Sequence, residues 1–314
     1  MPCPAVRRSL LRCIGVAAAW PALVGAQAVS RAVADRPVIE ELRSGSARLE
    51  LQFAEGFDDA LRARARAWVQ AAAAIISAYF GRFPVPEVEL LMIPAPGAGV
   101  RGGTTFGEPS PYVRLRVGVD TTARQFHDDW VLVHEMVHLA VPRVPRRHAW
   151  LQEGLATYAE GIARTRAGQI SVPRLWAAMA SDMPQGQPVD GDRGLDHTPT
   201  WGRTYWGGAI FCLLADVQIR QRSGLRLGLE HALRGVLAAG GSYAVAWPIE
   251  RILAVGDGAV GQDTLAGLYA RMKDSPAPTD LAALWRDLGV VAQGTQASFR
   301  GDAPLAAVRA AITG

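Results

Sequence analysis

Two histidines four residues apart with an acid beside the first, His134-Glu135-Met136-Val137-His138, are the part of this sequence best suited to chemistry. On a helix each residue turns about 100°, so positions four apart lie within about 40° of one another. Both imidazoles then point to one side and can share one metal ion. Glu135 stands next to them and can reach a water at that ion without being a ligand itself. With six histidines and twelve glutamates in 314 residues, chance gives about 0.004 occurrences of His-Glu-x-x-His, so coincidence does not account for it. The neighbours Trp130, Val131, Leu132, Val133, Met136, Val137, Leu139 and Ala140 leave the helix apolar all round, which predicts that it is buried. Ionisable side chains in such a helix cost several kcal/mol each unless paired. A metal and its water satisfy all three; two core histidines bonded to backbone carbonyls are the alternative.

A catalytic zinc needs a third protein ligand and an open fourth position. Glu153, separated from His138 by fourteen residues, is the candidate, near the start of a second helix that a short turn folds back. Glu153, Thr157 and Glu160 share one face of that helix. Thr157 or Glu160 would then stand behind the ligands, holding the free ring nitrogen of a histidine. The alternatives are a first-turn carboxylate favoured by the helix dipole for Glu153 and an exposed surface charge for Glu160.

Several elements must position these groups. Ala47 to Phe53 alternates and reads as a strand, Asp58 to Phe80 as a long helix, and Glu87 to Ile93 as a second strand. A Pro/Gly loop spans Pro94 to Gly103. Tyr112 to Val119 alternates again, with Arg114 and Arg116 facing away from Val113, Leu115, Val117 and Val119, the pattern of an edge strand. One helix is expected from about Ala123 to Val141, where Pro142 stops it, and another from Ala149 to Arg164. Helices near 171–182, 204–222, 225–239 and 244–254 follow, with further helices to the end.

The pair of motifs His-Glu-x-x-His and Trp150-Leu151-x-Glu153-Gly154-x-Ala156-x-Tyr158 resembles the gluzincin metallopeptidases. The likeness is to the aminopeptidase N and glycyl aminopeptidase families and the short bacterial peptidase MA-like domains, over roughly residues 47 to 240. The resemblance implies an α+β fold with a thermolysin-like zincin catalytic domain (a small twisted sheet plus an active-site helix) followed by a mainly helical lobe. It also implies that His134, His138 and Glu153 ligate one zinc and that Glu135 is the general base. Tyr205-Trp206-Gly207-Gly208-Ala209, followed by Asp216 and Ile219-Arg220, is similar to a helix of the glycyl aminopeptidase relatives, which makes Tyr205 the candidate donor to the oxyanion. A tyrosine packed with its hydroxyl toward water is the alternative; for Asp216 and Arg220 a structural ion pair is expected. Substrate backbone is expected to pair with the strand from Tyr112, placing contacts at Gly102, Gly103, Val113 and Leu115. The aminopeptidases carry Gly-x-Met-Glu-Asn, whose glutamate binds the substrate amine. Here Arg101-Gly102-Gly103-Thr104-Thr105 stands in that region, with no acid except Glu108.

Apolar residues make up 49% and charged residues 20%, enough for a sizeable core and incompatible with a disordered chain. The net charge is +4, but Arg7, Arg8 and Arg12 precede an apolar stretch and Ala26-Gln27-Ala28, the pattern of a cleavable export signal. Without those three arginines the balance is 30 basic against 29 acidic residues, so nucleic acid is not an expected partner. The chain is expected to be periplasmic or secreted, with Arg7-Arg8 also resembling a twin-arginine signal. A retained anchor is the alternative, and no other segment is apolar enough to span a bilayer. Cys3 and Cys13 fall in the leader, leaving Cys212 as a buried thiol. The expected division is a signal peptide at 1–28, an arm at 29–46, a catalytic lobe at 47–166 and a helical lobe at 167–314. His148 is expected in a solvated basic loop; Arg143, Arg146 and Arg147 are expected to be solvated there, with binding of acidic peptide side chains as the alternative. His127 and His197 are expected on the surface, lining the cleft being the alternative, and His231 on an outer helix.

The expected activity is zinc-dependent hydrolysis of peptide bonds in a peptide or protein substrate. Two readings stay open beside it. One is an exported zinc-containing peptide-binding or envelope-assembly module without proteolytic activity; the other is a metal-free helical interaction protein.

Overall fold

Alternating strands with one apolar face need a helix to cover them, and the chain supplies one at once. In the computed structural model, which describes residues 38–314, β1 (Val38–Ser44) and β2 (Ala47–Phe53) form a hairpin, followed by the long helix α1 (Asp59–Phe80). Asp58 caps α1 by accepting from the Leu61 amide at 2.6 Å, and Gly81 ends it at φ 81°. α1 returns the chain to β3 (Glu87–Ala95), which pairs parallel with β2. β4 (Val100–Phe106) and β5 (Tyr112–Gly118) complete a five-stranded sheet of order β1-β2-β3-β5-β4. Leu49, Leu51, Leu90, Met92, Val113, Leu115 and Val117 are buried in the core. The leader at 1–28 and residues 29–37 of the expected arm lie outside the described residues. Within that arm, Val38–Ser44 is a sheet strand, because each of its residues pairs with β2.

Tyr112–Gly118 is not the edge. β5 pairs with β3 on one side, Leu90 opposite Val113 and Met92 opposite Leu115. On the other it pairs with β4, Thr105 opposite Val113 and Gly103 opposite Leu115. Its alternation reports a sheet with one core face and one wet face, not an unpaired edge. Val113 and Leu115 are fully buried at 0% exposure, so neither can contact a substrate. The open edge beside the functional helix is β4, the strand that carries Gly102 and Gly103.

The expected helix from Ala123 to Val141 is two helices, α2 (Ala123–Asp128) and α3 (Val131–His138). Asp129 breaks them apart in an extended conformation, ψ 141°, and its Oδ2 accepts from the Leu132 amide at 3.1 Å. Beyond His138 the chain tightens to i→i+3 bonds, Ala140 to Val137 at 2.9 Å, before Pro142. α4 (Ala149–Arg166) and α5 (Val172–Asp182) follow, then α6 (Gly208–Ser223), α7 (Leu229–Ala238), α8 (Ile249–Val260), α9 (Thr264–Met272) and α10 (Leu281–Leu288). The C-terminal part is not all helical: β6 (Val290–Gln293) and β7 (Gln296–Phe299) make a hairpin around Gly294 before α11 (Ala306–Thr313). Among the described residues no helix is long and apolar enough to cross a membrane. Cys212 is buried on α6.

α4 and α6 touch backbone to backbone. A Cβ on Gly154 would lie 2.2 Å from Gly208 Cα, and one on Gly208 would lie 2.1 Å from the Trp150 carbonyl oxygen. The turn before α6, Arg203–Gly207, is wound as a π-helix. This contact brings the third-ligand helix and the Tyr205 segment together.

Candidate metal centre

Every residue of α3 is buried, as its all-round apolar sequence requires. The His134 and His138 rings meet edge to face, centroids 5.0 Å apart. α4 packs against α3 and presents Glu153 to both. Nε2 of His134 is 3.4 Å and Nε2 of His138 is 3.6 Å from one oxygen, Glu153 Oε2. One ligand atom from each of the three lies within 4.8 Å of the others. Glu153 is the fifth residue of α4, past the first turn, so the helix dipole does not explain it. Two imidazole nitrogens and one carboxylate oxygen converging on one point form a donor set that fits zinc.

The charges interlock. Burial opposes protonation of His134, but the carboxylate of Glu153, with Glu135 and Glu160 nearby, tips its pKa upward. His138 is held below the ordinary imidazole value by burial and by His134. Burial would raise Glu153, yet the two histidines and a hydrogen bond from the Tyr205 hydroxyl keep it ionised below the usual carboxylate range. The site therefore holds a carboxylate and a neutral His138, the forms that bind a metal.

Glu135, about 100° round the helix from His134, lies between the two histidines and β4. Its Oε2 accepts from the Thr105 hydroxyl at 2.7 Å, and its carbonyl lies 2.8 Å from the same hydroxyl. The approach is possible only because residue 103 is glycine: a Cβ there would stand 2.6 Å from Glu135 Cγ. Gly102, next to it on the open edge, has φ 142° and open space around its Cα.

Tyr205 stacks on His134, centroids 6.4 Å apart, and on Trp201 at 5.7 Å. Burial and the carboxylates of Glu153 and Glu135 push its pKa up, so it stays a donor. Thr157 does not hold a histidine; its hydroxyl donates to the Glu153 carbonyl at 2.7 Å. Glu160 is not an exposed surface charge: it is 13% exposed and pairs with Arg164 at 2.6 Å. Arg164 also donates to the Asp128 carbonyl at 3.2 Å, tying α4 to the end of α2.

His148 is not solvated. It is buried and pairs through Nδ1 with Asp196 at 2.9 Å, where Asp196 also accepts from Trp150 Nε1 at 2.8 Å and the Tyr269 hydroxyl at 2.7 Å. His127 pairs with Asp128 and His197 with Asp274, both at the surface. Asp216 and Arg220 form a buried ion pair at 2.8 Å.

Sequence reasoning missed four features here. Thr105 holds Glu135. Tyr243 lies beside His138, centroids 6.3 Å apart. Its pKa is raised by burial and by Glu153, against Arg143, with Glu135 adding to the rise. Trp130 meets His134 edge on at 5.5 Å and, like Trp201, is exposed. Arg143 reaches Glu108 at 2.5 Å, joining the exit of α3 to the end of β4. No spacing or motif in the sequence signals the Thr105, Tyr243 or Arg143 contacts, because each joins residues from separate segments of the chain.

No family model matches the sequence, and no curated protein matches it either. Among solved structures, the chain is similar to an aminopeptidase N family protein from Idiomarina loihiensis. The TM-score is 0.59 at 14% identity, over 81% of this chain and 49% of that one. An M1 zinc metallopeptidase from Deinococcus radiodurans, bound to Tyr-Ser-Ala, gives a TM-score of 0.49 at 14% identity, over 78% of this chain and 53% of that one. The chain thus spans about half the length of these structures. The resemblance carried by the two motifs and the fold of the aminopeptidase N family protein agree.

Proposed function

We propose that the protein is a zinc metallopeptidase of the thermolysin-like zincin type, hydrolysing peptide bonds in an extended peptide or protein. The convergence of His134 Nε2 and His138 Nε2 on one oxygen of Glu153 carries this reading. His134, His138 and Glu153 would hold one zinc per chain. When bound, zinc supplies a Lewis acid that polarises the scissile carbonyl and acidifies the attacking water. Glu135, aligned by Thr105 and by the space at Gly103, takes the water proton on its carboxylate and passes it to the leaving nitrogen. Tyr205 stabilises the developing oxyanion with a hydrogen bond from its hydroxyl, which keeps its proton. Substrate backbone adds to the β4 edge at Gly102 and Gly103. The leader-like segment, with three arginines before an apolar run, supports export to the periplasm or medium.

The test is a Glu135→Gln variant. It should bind about one equivalent of zinc by metal analysis and lose hydrolysis of a mixed peptide library. Undiminished turnover would overturn the assignment of the base, and wild-type protein that binds no zinc would overturn the whole reading.

A further inference from the structure

We propose that Arg143, at the Phe106 end of the open β4 edge, reads a carboxylate of the substrate and so sets an acidic preference on that side of the scissile bond. The inference rests on the peptidase reading above and names its substrate class.

Three chain segments meet at Gly107, the residue after β4. A Cβ there would lie 2.5 Å from Arg143 Cδ and 2.6 Å from the Tyr243 carbonyl oxygen, so only glycine lets the arginine stem lie across the strand end. The backbone of Arg143 is fixed on both sides: its amide donates to Val245 at 2.9 Å, and its carbonyl accepts from Trp247 at 3.0 Å. Tyr243 links this corner to the centre, because its ring faces His138 and its amide donates to the Leu139 carbonyl at 3.1 Å. The arginine therefore sits on a built platform at one end of the cleft that holds Glu135 and Glu153.

The charge at that end is poised for exchange. Arg143 is 28% exposed and meets Glu108 through Nη1, whereas Glu108 is 72% exposed. An ion pair that open contributes little, about 0–1 kcal/mol, so an incoming carboxylate can displace Glu108 at small cost. Arg143 Nε is buried with no hydrogen-bond partner among the described residues, which leaves the guanidinium short of acceptors. A planar fork favours a carboxylate over other polar groups. Glu108, the acid nearest this end of the edge, is engaged by the arginine and is not free to hold a cation. Arg146 and Arg147 are exposed on the same loop and keep the rim basic.

The test uses zinc-loaded full-chain protein and internally quenched peptides, acetylated and amidated, with one Glu walked along the sequence and Gln as its neutral match. A second set carries a free C-terminal carboxylate, so that side-chain and terminal sources are told apart. At one position, or for the terminal acid, kcat/KM should exceed the neutral match about tenfold, mainly through KM. Arg143→Gln should bring that ratio to about one, and Glu108→Gln should raise it. Binding of the same peptides to the Glu135→Gln protein, followed by intrinsic tryptophan fluorescence, should show the same ratios without turnover. If Arg143→Gln fails to fold, Arg143→Lys should lower the ratio severalfold. The proposal is overturned by equal affinity for acidic and neutral peptides, or by a ratio unchanged in Arg143→Gln. Absence of hydrolysis with an intact binding preference would instead overturn only the peptidase reading.

Discussion

A methyl group at residue 103 would strike the base directly. In Gly103→Ala the new Cβ stands 2.6 Å from Glu135 Cγ and 3.1 Å from Cδ. Carbon atoms in contact prefer about 3.5–4.0 Å, so the side chain must retreat by about 1 Å. It cannot slide toward α3's first turn, because Val131 Cγ1 is already 3.0 Å from the same point. A shift of that size breaks the 2.7 Å bond from Thr105. Misplacing a catalytic group by about 1 Å costs about 100-fold in rate, or about 2.7 kcal/mol on the barrier. Overpacking should also lower stability by about 1–3 kcal/mol. The atoms nearest the new Cβ belong to Glu135 and Val131, not to a metal ligand, so zinc content should stay at about one equivalent. Gly258→Ala, whose methyl enters open space on α8, serves as the control; it should leave kcat and zinc content unchanged and raise stability by up to about 1 kcal/mol. The assay is kcat on a cleaved library peptide together with metal analysis and urea unfolding. A folded, zinc-loaded Gly103→Ala enzyme with wild-type kcat would refute the placement of Glu135 against the strand.

Removing the metal should lower the melting temperature, since a ligand at 100 times its Kd stabilises by about 2.7 kcal/mol. A chelator should produce that loss in the wild type and none in His138→Ala; equal melting with and without chelator would count against a bound ion. Asp129, half-buried at the start of α3, has its pKa raised from 3.8 to about 6, desolvation outweighing the bonds from the Leu132 and Val131 amides. The folded state therefore keeps this proton where the unfolded chain has lost it, and stability should fall as pH rises from about 4 to about 6 and then level off. Asp129→Asn keeps an acceptor for Leu132 and should flatten that slope in urea midpoints across the window; parallel profiles for the two proteins would refute it. Asp196 is 6% exposed and serves His148, Trp150 and Tyr269 at once. Asp196→Ala should cost about 3 kcal/mol or more by urea unfolding, since it strands three buried donors; a loss below about 1 kcal/mol would show that the network is not holding α4.

The parts of the site that lie within one helix were legible in the sequence, because helical geometry fixes which residues share a face. His134, His138 and Glu135 are of this kind, and Glu153 follows from a short return to the next helix. The parts that depend on what packs against a helix were not legible. Alternation in Tyr112–Gly118 reports which face is buried, and it is silent on whether the strand's hydrogen bonds are taken. β4 is weakened as a strand by Gly102 and Gly103, which made its start read as a loop, and it is held by pairing with β5. His148 stands among arginines in the sequence, yet its partner, Asp196, comes from 48 residues away.

Glycine is the residue through which this site is assembled, and its signal in the sequence is ambiguous. Gly102-Gly103 reads as the end of a loop, and a glycine inside a helix, as at Gly154 and Gly208, costs about 1 kcal/mol by propensity alone. In the fold, three glycine positions are where another group needs the space of a missing side chain: Glu135 at Gly103, Arg143 at Gly107, and the α6 backbone at Gly154. The local cost is offset by close approach, which a propensity argument cannot register because the approaching atoms belong to distant segments. A chain with Ala at all three could keep every chemical group of the centre and still hold them about 1 Å out of register. That is the condition under which a metal would be retained and catalysis lost. The separation of those two properties, metal content unchanged and turnover reduced, is therefore what distinguishes a site built by close packing from one built by its ligands alone.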